Sequence, residues 1–143
     1  MEFMNRLLEY SGHHALLVAG TVAMAIVVLA YELRERAQGR AALAPQEAIR
    51  LMNHGALVID LRPAEQYAAG HISGAKPMSG PEILKAGETL KRHREKPVIV
   101  YCDTGSLSAA AARQLAAQGF TSAFNLRGGV TAWRGEHLPL TRT

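Results

Sequence analysis

The stretch Pro97-Val98-Ile99-Val100-Tyr101-Cys102-Asp103-Thr104-Gly105-Ser106-Leu107-Ser108 sets the fold class. Its first half is a near-continuous apolar run, as expected of a strand buried on both faces in the middle of a parallel sheet. A tight polar turn follows, and then an alanine-rich helix expected over 108–118, with Gly119 as its C-cap. Strand, turn and helix in that order also build a place for chemistry. Ligand sites in open α/β sheets form beyond the carboxyl ends of the strands, where Cys102 stands. A short turn into a helix points several backbone N–H groups inward, and such a nest stabilises an anion and lowers the pKa of a thiol at its centre. Gly105 lets the turn bend without a Cβ clash, and Ser106 and Ser108 supply hydroxyls that can donate or cap. A lone cysteine also reads as a small buried hydrophobe. On these residues alone, both readings of Cys102 stand.

On either side the chain reads as alternating helices and strands. Pro45 is placed to open a helix to about Asn53, and Gly55 breaks it. Residues 56–61 form a short strand, 65–69 a short helix stopped by Gly70, and Gly74-Ala75 leads into a second short extended segment. Residues 82–94 read as one charged helix. Its Glu82, Lys85, Glu88 and Lys91 alternate in sign on a solvated face, while Leu84 and Leu90 are expected to face the core. Residues 122–126 supply another strand, and Gly128-Gly129 turns the chain into a last helical turn around Trp133. The pattern predicts an α/β domain, a mostly parallel sheet flanked by helices.

Composition narrows the function. The single cysteine excludes an intrachain disulfide and a multi-cysteine zinc site. The six histidines show no ligand spacing, so neither a metal nor a cofactor is expected. The formal net charge of +4 is mildly basic, but aromatic residues make up only 6% of the chain, and no basic stretch is interleaved with them as a single-strand nucleic-acid binder requires.

The N-terminal third reads differently. No Lys, Arg, Asp or Glu occurs from Ser11 to Tyr31, and the core of that stretch, 15–31, is apolar on every face. With its flanks it approaches the roughly 20 residues that span a bilayer, and Tyr10 and Tyr31 sit at the interfacial ends. The expected organisation is an N-terminal segment 1–33 with one transmembrane helix, a linker 34–42, and a folded domain 43–140. Ala23-Met24-Ala25 has the form of a signal-cleavage site, but the apolar run continues through Val28, Leu29 and Ala30, which favours a retained anchor. Arg34, Arg36 and Arg40 follow the helix and only Arg6 precedes it, so the domain is expected on the cytoplasmic side of a bacterial inner membrane. Ala15, Ala19 and Ala23, four residues apart, form a stripe on which another membrane helix could pack. Membrane lipid is the first expected partner.

Three blocks give the domain a family likeness. The first is Asp60-Leu61-Arg62-Pro63-Ala64-Glu65-Gln66-Tyr67-Ala68-Ala69-Gly70-His71-Ile72-Ser73-Gly74-Ala75, the second Tyr101–Ser108, and the third Asn125-Leu126-Arg127-Gly128-Gly129-Val130-Thr131-Ala132-Trp133. In this order they resemble the signatures of the rhodanese family over about 43–140. The resemblance implies a sulfurtransferase that moves sulfane sulfur from a donor to a thiol or protein acceptor through a cysteine persulfide. It makes Cys102 the catalytic residue. The backbone amides of Asp103, Thr104, Gly105, Ser106 and Leu107 become the cradle for the anionic substrate. Asp60, Arg62 and Glu65 become structural supports of the strand–helix junction, and His71 a packing residue.

Two departures stand out. Many thiosulfate-using relatives carry Arg or Lys in the active loop, often at the position of Leu107, whereas this loop has Asp103 and no base. His137 also replaces a glycine common before the terminal Leu-Pro pair. Phosphatase relatives carry an Arg six residues after the Cys, and here that residue is Ser108, so a fork for a phosphoryl group is missing. The alternative to an enzyme is a membrane-tethered module that keeps the fold for docking.

Overall fold

The computed structural model describes residues 1–142, with side chains at all of these except 37–40. The chain divides into two units, Met1–Ala37 and Gln38–Thr143.

The first unit is helical. Helix α1 spans Glu2–His13, a segment read from sequence only as a flank. The chain breaks at His14 (φ −126°, ψ 41°), and helix α2 runs Ala15–Ala41. Within Ala15–Arg36 an 18-residue stretch has a mean hydropathy of 2.2 and contains no buried residue, so the helix is long and apolar enough to cross a membrane. Its one hydroxyl from threonine is satisfied internally, with Thr21 donating to the carbonyl of Leu17 at 2.9 Å. The expected linker 34–42 is helical in backbone through Ala41 and gives way directly to a strand. The side chain of Arg40, where a topological charge was expected, lies outside the described set.

The second unit is built from strands β1 (Ala42–Leu43), β2 (Leu57–Asp60), β3 (Lys76–Pro77), β4 (Val98–Tyr101) and β5 (Ala123–Leu126). Its helices are α3 (Pro45–Asn53), α4 (Ala64–Ala69), α5 (Gly80–Leu84), α6 (Ala86–Thr89), α7 (Ser106–Ala117) and α8 (Gly129–Gly135), with a 3-10 turn at Lys91–His93. The sheet order is β1-β5-β4-β2-β3, and every pairing is parallel. β4 is central, with Asp60 opposite Tyr101 on one side and Asn125 opposite Val100 on the other.

Both faces of β4 are buried, which is why its sequence does not alternate. Val98 and Val100 join Ile59, Ile83, Leu90, Leu115 and Phe120 beneath α5, α6 and α7. Ile99 and Tyr101 join Ala48, Val58, Leu126, Val130 and Trp133 beneath α3 and α8. The sheet therefore separates two apolar layers, and its carboxyl edge carries Asp60, Cys102 and the turn after Leu126.

The charged helix expected over 82–94 is instead three pieces. Ser79 and Glu82 form a reciprocal cap that starts α5 at Gly80, earlier than expected. The chain then breaks at Lys85, and long-range bonds hold the break. Gly87 donates its N–H to Gln118 Oε1 at 2.7 Å, and Gln118 Nε2 donates to the Ile83 carbonyl at 2.7 Å. Leu90 is buried as expected, but Leu84 is turned to solvent, 61% exposed.

Candidate active site

Cys102 directly follows β4 and is 3% exposed. The turn reverses at Gly105, whose φ of 100° lies in the left-handed region that favours glycine, and α7 begins at Ser106, two residues before the expected 108. A Cβ at 105 would stand 3.2 Å from the Gly128 nitrogen and 3.3 Å from the Leu126 carbonyl oxygen. The reversal brings the Gly105 N–H to Cys102 Sγ at 3.1 Å. Ser108, fully buried at the start of α7, stands with its Oγ 3.6 Å from Sγ and donates to the Gly105 carbonyl at 3.0 Å. Burial is the largest single influence on the Cys102 thiol and pushes its pKa up. The N–H and hydroxyl of Ser108, with the N–H groups of Gly105 and Thr104, outweigh it and hold the thiol below its ordinary value.

The loop is framed from the other side by α8. Val130 donates its N–H to the Cys102 carbonyl at 2.9 Å, and Thr131 donates to the Asp103 carbonyl at 3.1 Å. Each peptide unit is planar and trans, so turning these two carbonyls toward α8 turns the N–H groups of Asp103 and Thr104 the opposite way. Gly129 makes the approach possible: with φ 59°, a Cβ there would lie 2.3 Å from the Cys102 carbonyl oxygen. The Gly128-Gly129 pair makes the tight turn read from sequence and is also the back wall of the loop.

Beneath the loop lies a closed polar network. Asp60 accepts from the Arg62 N–H at 2.8 Å, from Arg62 Nη2 at 2.8 Å and from the Tyr101 hydroxyl at 2.6 Å. Arg62 Nη2 also donates to the Gly70 carbonyl at 2.6 Å, and the Ile72 N–H donates to the Tyr101 oxygen at 3.1 Å. Burial alone lowers the pKa of Arg62, but the hydrogen bond and charge of Asp60 outweigh it and raise it. Burial, and then Asp60, push Tyr101 well above its ordinary value, so its hydroxyl stays a donor. Asp60 and Arg62 thus meet under the site. Tyr101 completes their network, a role that its sequence position inside an apolar run concealed. Glu65 is not in the network but exposed in the first turn of α4, where a carboxylate suits the helix terminus. His71 is buried, stacked on Tyr67 with ring centroids 3.9 Å apart, and its Nδ1 lies 2.8 Å from the Tyr67 carbonyl, to which it must donate.

Asp103, Thr104, Ser106 and Leu107 are exposed around the thiol. The arrangement offers a thiolate a set of N–H donors and a hydroxyl, and it has no cationic side chain within the turn 103–108. The Ser108 hydroxyl accepts from the thiol and donates to the Gly105 carbonyl, and on ionisation it must turn its proton to sulfur; replacing Ser108 by Ala removes that donor and keeps the backbone donors. A hydrogen bond to a charged group contributes about 1.5 kcal/mol at the weak end of its range, about tenfold in a rate that depends on thiolate. Alkylation of Ser108→Ala by iodoacetamide should therefore slow about tenfold at neutral pH, and its pH–rate inflection should move upward. An unmoved inflection would remove Ser108 from the site.

The model of the family described as "Rhodanese-like domain" matches residues 44–136. An uncharacterized protein of Escherichia coli, YibN, is 34% identical over 142 residues, which cover 97% of this chain and 99% of that protein. A thiosulfate sulfurtransferase of Pseudomonas fluorescens, GlpE, is 39% identical over 93 residues, or 63% of this chain and 81% of its own. Among solved structures, a thiosulfate sulfurtransferase from Pseudomonas aeruginosa superposes with a TM-score of 0.63 at 24% identity, over 71% of this chain and 20% of that one. A human single-domain sulfurtransferase superposes at 0.60 with 23% identity, over 67% and 96%. At these identities the solved structures speak to fold alone, while the domain model spans well over half the chain, and on that ground the chain belongs to the rhodanese-like domain family.

Proposed function

We propose that this protein is a sulfurtransferase or persulfide carrier in which Cys102 moves sulfane sulfur at the cytoplasmic face of a membrane. The Gly105 N–H at 3.1 Å from a nearly buried Sγ, reinforced by Ser108, carries the reading. The thiolate attacks the outer sulfur of a donor, the donor's sulfur–sulfur bond breaks, and the leaving group departs with the electron pair. The amides of residues 103–107 hold the resulting persulfide. An acceptor thiolate then attacks the outer sulfur, and Cys102 leaves as the thiolate it began as. Asp60 and Arg62 act through position, by fixing the end of β4, and Glu65 supports α4. Incubation with sulfur donors followed by intact-mass measurement tests this: Cys102 should gain the mass of one sulfur atom, and a thiol should remove it. A chain that stays unmodified with thiosulfate and with organic persulfides alike would overturn the reading.

Relatives named as thiosulfate sulfurtransferases make thiosulfate the first donor to try, yet the loop argues for slow use of it. Thiosulfate is a dianion, the amides carry only partial charges, and Asp103 adds a full negative charge. Leu107→Arg places a forked cation on the loop. Opposite charges near a protein surface attract by roughly 4 kcal/mol at contact before screening, and a net gain of about 1.4 kcal/mol is tenfold in rate. Steady-state kinetics with thiosulfate and cyanide should show a rise of about tenfold in kcat/KM for Leu107→Arg, shrinking as salt increases. No rise in a folded variant would refute the charge argument.

In the same reading residues 1–33 hold the anchor, 34–42 connect, and 43–140 form the catalytic domain. The length and apolarity of Ala15–Arg36 support insertion, and Arg34 and Arg36 support a cytoplasmic domain. Full-length protein should stay in the membrane pellet on carbonate extraction, and the domain should resist protease added outside spheroplasts. Release of full-length protein, or digestion from outside, would reverse these assignments.

A further inference from the structure

Among the described residues of the second unit, two large apolar side chains are strongly exposed, Leu84 at 61% and Leu107 at 68%. They line the same groove. Its volume is about 260 Å³, and Leu61, Ile83, Ala110 and Ala111 line it as well, with Gln114 the one polar side chain. No charged residue lines it. Leu84 is exposed because the helix breaks after it, and Leu107 belongs to the turn whose amides address Cys102. The groove therefore meets the reactive turn at Leu107, its one lining residue from the segment 102–108, and its lining suits neither an anion nor a cation.

We infer that this groove binds the hydrocarbon end of a small alkyl thiol or alkyl persulfide, and so makes an organic sulfur compound with an uncharged alkyl group the substrate class of the site. The inference rests on the sulfur-transfer reading above. The volume is below the 300–1,000 Å³ of sites for drug-sized ligands, so the occupant is a short chain. The step balances without an oxidant. Cys102 thiolate attacks the outer sulfur of R–S–S–H, a bond forms between Cys102 Sγ and that sulfur, the donor sulfur–sulfur bond breaks, and R–S⁻ leaves with the electron pair. The proton stays on the transferred sulfur. The reverse step delivers sulfur to an alkyl thiolate seated in the same groove.

The test uses the full-length protein in detergent, persulfidated and mixed with ethane-, propane-, butane- and pentanethiol and with 2-mercaptoethanesulfonate. Free thiol is measured to correct for partition into micelles. The second-order rate of sulfur transfer should rise about fourfold per methylene, the factor that corresponds to burying one CH₂, and the sulfonate should be slowest. Leu84→Gln, at an exposed position, and Leu107→Gln should each flatten the series toward a ratio of one between pentane- and ethanethiol. A persulfide that forms and transfers with no dependence on chain length overturns the groove and leaves the carrier reading intact. Failure to load Cys102 with any donor overturns the carrier reading itself. In that case methyl chemical shifts decide the groove separately: pentanethiol should perturb Leu84 and Leu107 and be without effect on Leu43, and unmoved shifts at both positions overturn it.

Discussion

Cys102→Ala should form no persulfide with any donor while folding much as the parent chain does. The prediction is clean because the sequence holds one cysteine, so no second thiol can take over. The thiol sits in a frame made largely by backbone: Val130 and Thr131 hold the carbonyls of residues 102 and 103, and Gly105 reverses the turn whatever the side chain at 102. Removing one sulfur atom from a nearly buried position costs about 1 kcal/mol, in the common range for point substitutions. Trp133, buried under the sheet, is the only tryptophan and reports unfolding of this unit by its fluorescence. Denaturant midpoints close to those of the parent, with no sulfur mass gained, are the expected pair of results. Undiminished transfer by Cys102→Ala would end the mechanism.

Arg62→Leu should be the most destabilising of the substitutions considered, by about 3–5 kcal/mol. The change leaves the fully buried Asp60 with the Tyr101 hydroxyl and the Arg62 N–H but no counter-charge, and it leaves the Gly70 carbonyl without its donor. Against a total of 5–15 kcal/mol typical of a domain, that loss brings the folded state near its limit. The double variant Arg62→Leu with Asp60→Asn should recover part of it, since removing both charges abolishes the unpaired one. Equilibrium unfolding in urea followed by Trp133 fluorescence checks both. A loss below about 1 kcal/mol in the single variant would mean that water already solvates the carboxylate.

The centre of the fold was legible because local pattern and tertiary role agree there. Val98 to Tyr101 is apolar throughout since both faces of β4 are covered, Pro45 opens α3 where a proline does so at no cost, and Gly105 and Gly119 mark real left-handed turns. The misread stretch is 82–94, whose charge pattern fits a continuous helix. Gln118, more than twenty residues away, supplies the bonds that break it, and nothing in the local sequence announces that partner. Leu84 was expected inside for the same reason. β1 was invisible because two residues, Ala42 and Leu43, pair with Asn125 and Leu126 across most of the domain. At the site, Cys102 and its turn could be found from residue types. The hydroxyl of Tyr101 hid within an apolar run, and the need for Gly129 shows only when α8 is seen against the Cys102 carbonyl.

That last contact has a consequence for how the protein is born. Synthesis runs from the amino end, so the thiol of Cys102 leaves the ribosome before Gly128 to Thr131, whose amides fix the peptides of the turn. Until they arrive, the carbonyls of Cys102 and Asp103 lack the donors that orient the loop. A chain cut short at Leu126 would keep Cys102 with Thr104, Gly105 and Ser108 but lack the back wall of the loop. The frame of the loop is thereby completed only once α8 has been made.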